Sequence, residues 1–430
     1  MKKWILAVLV AVCSAILFIA CGGKKTTPKQ SGLPERVLAS QGVTNVANFG
    51  GLFIINGAND TIPRVAPLSA GTNPGLMAVS PTLNVAAAFD SSTNTVYAVD
   101  TTTESSIGRV QLPGPTSSFV IPTSNPTGFA AVPTATVNGF AYLGAVASMN
   151  FTNGAFTAIA VNSAQTVVSN SDGSQLLVFS ADSDSMTVLN PGIATPPVDT
   201  SCYYTPPSAA CRIVPGFDRP VFAVVKDNMA YVLNCGSQCG GSQASVMFFD
   251  LATLTITKTV PVPAATMALL NNTTLYVAGT PRTNNDCAGQ TTAAATCGRL
   301  TVIDVTSGNI TGRATITDGY HTRMDLTANG ELFVGSRDCT NIGNVNNPSG
   351  EVRGCLTIYR GDGSLVFPPD NGNVDGLQAF TTRNIEYVAE GGNLRVYDTT
   401  KDILLINDFL PQGTINIVGN VGDIKAIDFF

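Results

Sequence analysis

The clearest pattern in the chain begins with Ala230-Tyr231-Val232-Leu233-Asn234 and continues with Val246-Met247-Phe248-Phe249-Asp250 and Thr255-Ile256-Thr257-Lys258-Thr259-Val260. Each piece is short, rich in β-branched and aromatic residues, and bounded by Gly, Ser, Asn or Asp. Such pieces predict β-strands joined by turns. Beyond the first 25 residues, no segment of the chain shows a sustained helical period, so the sequence predicts an all-β protein.

The same phrases return along the chain. Strands like the first piece are predicted at Thr95–Asp100, Leu275–Gly279, Leu332–Ser336 and Glu386–Ala389, and strands like the second at Leu300–Asp304, Leu356–Tyr359 and Leu394–Asp398. Four short strands that recur at about 40 to 57 residues match the spacing of propeller blades.

These phrases resemble the YVTN-type β-propeller repeats of bacterial surface proteins and of lactonase-like propellers. The resemblance covers most of residues 45–430 and is strongest from 219 to 400. It implies a ring of four-stranded antiparallel blades. It implies little about activity, because one scaffold carries many functions.

A four-strand register predicts seven complete blades and a remainder at each end of the chain. The complete blades are 75–112, 116–161, 165–215, 219–261, 265–316, 320–367 and 376–410. The remainders are Leu52–Asn56 with Thr61–Leu68, and Ile415–Val418 with Ile424–Phe429. Joined, they complete one further blade and remove the exposed strand edges of an open sheet. We therefore expect eight blades, with seven as the alternative.

The first residues indicate export. Lys2 and Lys3 precede an apolar run from Trp4 to Ala20, and Leu17–Cys21 resembles the lipobox of bacterial lipoproteins. The resemblance implies cleavage before Cys21 and lipidation of that cysteine. We therefore expect a signal peptide at 1–20, a flexible tether at 21–40 and a propeller at 41–430. An ordinary secretory signal and an uncleaved anchor helix are the alternatives.

Export changes how the cysteines are interpreted. Cys13 leaves with the signal and Cys21 carries lipid, so eight cysteines remain, in sequential couples. An even number in an oxidising compartment favours disulfides, and the clustering favours local ones. The expected couples are Cys202 with Cys211, Cys235 with Cys239, Cys287 with Cys297, and Cys339 with Cys355. A metal or redox site is the alternative, but no paired C-x-x-C knuckles are present, and we expect neither metal nor cofactor.

The direction of the strands predicts the face of the ring on which each cysteine couple lies. Loops between the second and third strands of a blade emerge on the same face as the connections between blades. The last three couples occupy that position in consecutive blades and predict a stapled rim on one face. The Cys202–Cys211 couple belongs to a third-to-fourth loop and is expected on the opposite face.

The candidate ligand-binding residues are His321, Arg323 and Asp325. They alternate in Tyr320–Leu326, so on a regular strand all three point to one side. That strand is the innermost of its blade, where these side chains face the central channel. The row is also consistent with a brace between neighbouring blades, because one strand offers no convergent nucleophile.

Composition narrows the function. Charged residues make up 12% of the chain and the net charge is −6, so a nucleic-acid partner is not expected. We expect a non-catalytic binding or scaffold propeller at the outer membrane or cell surface. Its partner would be an envelope protein, a cell-wall polymer or a second copy. The alternatives are a lactonase-like or other hydrolase with a channel-mouth site near His321, and a structural surface-layer component.

The lipobox interpretation predicts the outcome of one substitution. Cys21→Ser removes the thiol that accepts lipid, so the protein should be released from membranes or remain an uncleaved precursor. Fractionation with an immunoblot measures both. A normally processed and membrane-bound variant would contradict the interpretation.

Overall fold

The computed structural model is an all-β ring of antiparallel sheets. It describes residues 31–43, 50–194, 198–203, 208–281, 297–340, 354–369, 372–380 and 382–428. Within these ranges, the only helices are single 3₁₀ turns at Pro81–Leu83, Pro191–Ile193, Ser201–Tyr203 and Gly236–Cys239. None of the helices in this part of the chain has the length and apolar character needed to cross a bilayer.

The chain begins with β1 (Arg36–Gly42) and β2 (Gly51–Asn56), which belong to the last blade. Blades one to four then follow in chain order. Blade one contains β3 (Pro74–Ser80), β4 (Val85–Asp90), β5 (Thr95–Asp100) and β6 (Ser105–Gln111). Blade two contains β7 (Ser118–Val120), β8 (Gly128–Val132), β11 (Ala145–Asn150) and β12 (Ala155–Ala160), with the hairpin β9 (Ala135–Val137) and β10 (Phe140–Tyr142) inserted.

Blade three contains β13 (Ala164–Ser169), β14 (Leu176–Ser180), β15 (Ser185–Leu189) and β17 (Cys211–Pro215). The short strand β16 (Val198–Asp199), between β15 and β17, pairs with β12 of blade two. Blade four contains β18 (Pro220–Lys226), β19 (Met229–Asn234), β20 (Ser245–Asp250) and β21 (Thr255–Pro261).

Blades five to seven keep the same order. Blade five contains β22 (Met267–Asn271), β23 (Thr274–Gly279), β24 (Gly298–Asp304) and β25 (Asn309–Ile316). Blade six contains β26 (Tyr320–Leu326), β27 (Leu332–Arg337), β28 (Leu356–Tyr359) and β29 (Leu365–Val366). Blade seven contains β30 (Val374–Phe380), β31 (Ile385–Glu390), β32 (Asn393–Asp398), β33 (Ile403–Leu404) and β34 (Thr414–Ile415).

The eighth blade joins the two ends of the chain. β35 (Asn420–Ala426) pairs antiparallel with β1, and β1 pairs with β2. Among the described residues this blade has no regular fourth strand. In its place, the isolated bridges Asn56–Thr61 and Leu52–Leu68 lie beside β2. The prediction of eight blades with a ring closed by terminal strands is confirmed.

The composition of this closing blade differs from the expectation in two ways. Its middle strand is β1, so residues 36–40, expected in the tether, lie within a strand. Ile415, expected in the closing blade, pairs with Leu394 in blade seven instead. The stretch Arg36–Gly42 lacks the Tyr-Val phrase of the other blades, which is why the repeat pattern passes over it.

A recurrent turn explains the sequence repeat. Where the third strand ends, the side-chain oxygen of an Asp or Asn accepts backbone N–H groups two or three residues ahead, which is Asx-turn chemistry. The residues at this position are Asp100, Asn150, Asp250, Asp304 and Asp398. Four residues later the backbone enters the left-handed region, for example at Gly154 (φ 72°) and Gly308 (φ 69°).

Neighbouring blades pack their sheet faces against each other. Between blades three and four, Phe249 is fully buried among side chains that include Phe179 and Val232, and its ring centroid lies 6.3 Å from that of Phe217. Burying one such aromatic side chain stabilises the fold by about 1.5–3 kcal/mol. Alternation along each strand supplies both faces of every blade, so the core is a ring of similar layers.

The disulfides staple loops within single blades. Cys235–Cys239 and Cys339–Cys355 close second-to-third loops in blades four and six, and Cys202–Cys211 closes the third-to-fourth loop of blade three on the opposite face. Cys297 in blade five is also disulfide-bonded, whereas its expected partner Cys287 lies outside the described residues. The three local pairings are confirmed, and with them the stapling of the rim in blades four and six. The Cys287–Cys297 pairing stays a prediction.

Asp423 fastens the closing blade to blade one. Its Oδ2 accepts the backbone N–H of Met77 at 2.9 Å, and its carboxylate lies 3.5 Å from Lys425 and 3.9 Å from Arg323. Asp423 is 1% exposed, so its removal leaves two cations and an N–H without this partner. We expect Asp423→Ala to lower the free energy of unfolding by about 3 kcal/mol, measured by urea denaturation.

The control is Asp362→Ala, which removes a carboxylate from an exposed turn. It should change the free energy of unfolding by less than about 0.5 kcal/mol. Equal losses in the two variants would contradict the closing role of Asp423.

Candidate functional site

The first strand of each blade lines the central axis, and these strands differ in chemistry around the ring. In blades three to five these strands carry mostly apolar and neutral polar side chains, of which Val168, Val224 and Leu269 pack against the clusters between blades. Blades six to eight contribute Arg323 and Lys425 with their acidic partners. Charged side chains on these strands are thus concentrated in blades six to eight.

Arg323 connects blades six, seven and eight. Its Nε donates to the carbonyl oxygen of Asp375 at 2.6 Å, its Nη1 donates to that of Thr322 at 3.0 Å, and its Nη2 lies 3.9 Å from Asp423 Oδ2. Arg337 Nη2 contacts Asp375 Oδ1 at 2.6 Å. Burial raises the pKa of Asp375, while Arg337 and Arg323 oppose that rise. These contacts brace neighbouring blades.

His321 does not share a side of the strand with Arg323. A bulge between them sets His321 opposite Ser336 and Arg323 opposite Gly335, adjacent positions that face opposite sides. The expectation that the row points one way is therefore wrong. His321 is fully buried, and its Nε2 donates to the carbonyl oxygen of Thr317 at 3.1 Å. Desolvation lowers the pKa of His321 to about 4, so the ring is neutral at pH 7.

Asp325 also joins blade six to blade seven. Its Oδ2 accepts the N–H of Ala379 at 2.7 Å, and its Oδ1 accepts the N–H of Leu326 at 2.8 Å. Burial raises the pKa of Asp325. The structure therefore places Arg323 and Asp325 at a blade junction, with His321 packed away from them.

Glu386 is the buried acid that sequence reasoning missed. It is fully buried on β31, and neither carboxyl oxygen has a hydrogen-bond partner among the described residues. Desolvation and the nearby Asp325 raise its pKa well above the usual value. The signal was visible as a lone acid in the apolar run Ile385–Ala389.

A second acidic group joins blades six and seven on the face opposite the stapled rim. Arg360 Nε donates to Asp402 Oδ2 at 2.5 Å, and Glu331 approaches the same carboxyl. Glu331 Oε2 and Asp402 Oδ1 are both buried without a hydrogen-bond partner in the described part of the chain. Burial and Asp402 raise the pKa of Glu331 to about 7, with Arg360 opposing.

The stapled rim is continuous across blades four to six. Gln238, inside the Cys235–Cys239 loop, accepts the N–H of Thr280 at 2.9 Å. The Thr280 hydroxyl donates to the carbonyl oxygen of Gly319 at 2.7 Å, between blades five and six. From there, Asp318 accepts both the N–H and the hydroxyl of Thr340 at 2.7 Å. Asp338 extends the chain of contacts to blade seven, because its N–H donates to Asn373 Oδ1 at 2.8 Å.

Comparison with known proteins finds solved structures of similar fold. No family model matches the chain, and no curated protein matches it. The dihydro-heme d1 dehydrogenase NirN in complex with DHE is 11% identical, with a TM-score of 0.60 over 95% of this chain and 78% of that one. Kuenenia stuttgartiensis hydrazine synthase is 13% identical, with a TM-score of 0.53 over 75% and 94%. BamB from Moraxella catarrhalis is 14% identical, with a TM-score of 0.49 over 82% and 92%. Such identities show the propeller fold alone.

The Glu331–Asp402 pair predicts a pH dependence. The pKa of Glu331 is about 7 in the folded state, above the ordinary 4.5, so the folded state binds more protons between these values. This contribution to stability is complete below 4.5 and is lost as the pH rises to about 7. We expect the loss to be about 1 kcal/mol, because solvent screens a partly exposed group.

Glu331→Gln should remove that slope, measured as the difference in thermal midpoint from the wild type across this pH range. Glu35→Gln is the control for replacing a half-buried glutamate elsewhere. Parallel profiles for the wild type and Glu331→Gln would contradict the raised pKa of Glu331.

Proposed function

We propose that this chain is a non-catalytic binding propeller of the bacterial cell envelope, anchored by lipid at Cys21, which presents its stapled rim to a macromolecular partner. The observation that carries the proposal is the continuous set of hydrogen bonds that links the rim loops of blades four to six and reaches the connection into blade seven. Loops held by a rigid scaffold are common binding surfaces.

The rim contacts support binding because they order the loops before a partner arrives. Gln238, Thr280 and Thr340 each use side-chain groups to hold another loop or a connection between blades. Two disulfides restrain the same segments. Ordering a loop in advance lowers the entropic cost of association.

The buried position of His321 supports a non-catalytic role. A general base must come within hydrogen-bond reach of its substrate, and the side chain of His321 is fully buried. The neighbouring acids already accept backbone N–H groups or pair with arginines. The groups that a channel-mouth hydrolase would need thus hold blades together.

Photo-crosslinking in cells that make the protein tests the proposal. Tyr320, 41% exposed at the rim end of β26, is replaced by p-benzoylphenylalanine, which preserves an aromatic ring. The matched control carries the same replacement at Phe409, 77% exposed on the segment between β33 and β34. We expect one saturable adduct from position 320, lost when excess unmodified protein competes.

Two further results would count against the proposal. The first is an equal adduct at position 409, which would mean unspecific capture. The second is hydrolysis of lactones or esters that disappears in His321→Ala at an unchanged thermal midpoint, which would support the hydrolase alternative.

A further inference from the structure

The interface between blades six and seven receives two charged side chains from blade six at its end away from the stapled rim. Phe333 and Ile358 face blade seven, because both belong to the apolar cluster packed between the two blades. Glu331 directly precedes β27 and Arg360 directly follows β28. Each lies two positions from one of those residues, so alternation turns its side chain towards blade seven as well.

Blade seven turns a hydroxyl to the same interface. Tyr397 faces blade six, because its ring centroid lies 6.0 Å from that of Phe333. The N–H of Thr399 donates to the carbonyl oxygen of Asn384 at 2.9 Å, which continues the ladder between β31 and β32 by one pair. Thr399 therefore points to the same side as Tyr397. Its side chain is fully buried, and its Oγ1 has no hydrogen-bond partner among the described residues.

Two turns bring these groups together. Asn329 Nδ2 donates to the carbonyl oxygen of Thr399 at 2.7 Å, so the turn before β27 contacts the turn after β32. The side chains of Asn329 and Asp402 also lie close enough to the carboxyl of Glu331 to shift its pKa by hydrogen bonding. The side chains of Glu331, Thr399 and Asp402 thus meet at one junction.

Three buried oxygens at this junction have no hydrogen-bond partner in the described part of the chain. They are Glu331 Oε2, Thr399 Oγ1 and Asp402 Oδ1. The side chain of Asp402 is 2% exposed. Such oxygens are rare in folded proteins, since burial without a partner forfeits the hydrogen bonds that water would make. Three of them in one place indicate that a proton donor or a cation belongs between them.

The charges at the junction favour a cation. Arg360 Nε donates to Asp402 Oδ2 at 2.5 Å, which leaves Oδ1 for another partner. With both carboxyls ionised, Glu331, Asp402 and Arg360 together carry one negative charge, which is unfavourable in a buried place. A bound cation offsets that charge. Glu331 is half-buried and the Arg360 side chain is 38% exposed, so an ion reaches the junction from solvent.

The donor atoms select the kind of cation. All three are oxygens, and the described ranges contain no group of three or more His, Cys, Asp and Glu that could hold a metal ion. A transition-metal site is therefore not expected. Calcium accepts carboxylates, neutral oxygens and water in a flexible geometry, whereas magnesium demands near-ideal octahedral coordination. A site with only two carboxylates should be weak, with a Kd of about 0.1–1 mM, as in extracellular calcium modules.

We propose that Glu331 Oε2, Thr399 Oγ1 and Asp402 Oδ1 bind a calcium ion that joins blades six and seven. Water completes its coordination. Arg360 is a positioning residue, because it holds the carboxyl of Asp402 while leaving Oδ1 for the ion. The proposal departs from the expectation of no metal, which rested on the cysteine pattern. It does not depend on the proposed function of the stapled rim.

A calcium titration of the full-length protein in detergent tests the proposal. The protein is first stripped with EGTA, and this ion-free form is the one to which the pH dependence of Glu331 applies. At pH 8, calcium at about 10 mM should raise the thermal midpoint by about 2–3 °C, by mass action on a chain of this length. The same concentration of magnesium should give less than half of that shift, because of its stricter geometry.

Terbium provides a direct readout of binding. This ion replaces calcium at oxygen sites and emits when a nearby tyrosine is excited. We expect saturable emission that calcium displaces with the same Kd as the thermal titration.

Two substitutions locate the ion. Glu331→Gln keeps the shape of the side chain but removes its charge, and should weaken calcium binding at least tenfold. Thr399→Val removes only the hydroxyl and should weaken binding several-fold. The matched control is Asp362→Asn, which neutralises an exposed carboxylate on the turn after Arg360 and should leave the affinity within twofold. Each variant is compared with itself in the absence of calcium, so a change in its own stability does not affect the result.

The outcomes decide between an ion and protons. Absence of saturable calcium binding to the wild type up to 10 mM would overturn the proposal, and protons alone would then satisfy the three oxygens. Unchanged affinity in both Glu331→Gln and Thr399→Val would place the ion elsewhere and overturn it as well. A larger effect of magnesium than of calcium would overturn the choice of ion.

Discussion

The pairing of β1 with β35 is the constraint on which the rest of the propeller depends. It joins residues almost 400 positions apart into one sheet, so that neither end of the ring presents an open edge. The blades rely on each other for burial, because each sheet covers the apolar face of the next. Without the terminal pairing, blades one and seven would each expose a face, and the core layers beside them would be exposed to solvent.

The innermost strands raise a second problem, because one edge of each faces the axis instead of another strand. Side chains from the neighbouring blade satisfy several of the backbone groups on these strands. Asp325 accepts the N–H of Ala379, Gln378 accepts that of Ala426, and Ser118 accepts that of Val167. These bonds explain why acids sit in the innermost strands of blades six to eight. The charged wall of the channel is therefore a consequence of holding blades together, which weakens its interpretation as a ligand site.

The sequence predicted the features that recur in every blade and missed the features that occur only once. The Tyr-Val phrases and the turn at Asp250 or Asp304 recur because every blade solves the same packing problem, so blade number, disulfide placement and ring closure followed from them. β1 was missed because its residues follow no blade phrase and because one of its two partners, β35, is distant in sequence. The prediction that His321 and Arg323 point to the same side of the strand failed for another reason. A bulge of one residue leaves no mark in the sequence, yet it reverses the side on which every later residue points.

The position of β1 between β2 and β35 determines how the molecule carries mechanical load. A pull on residue 31 is directed along β1, whose residues 36–41 pair with β2 and 37–42 pair with β35. Force along a strand must shear all of these hydrogen bonds together instead of opening them one at a time. The load is then divided between two neighbouring strands. A protein held by its amino-terminal end against flow or a moving partner would thus resist extraction at β1.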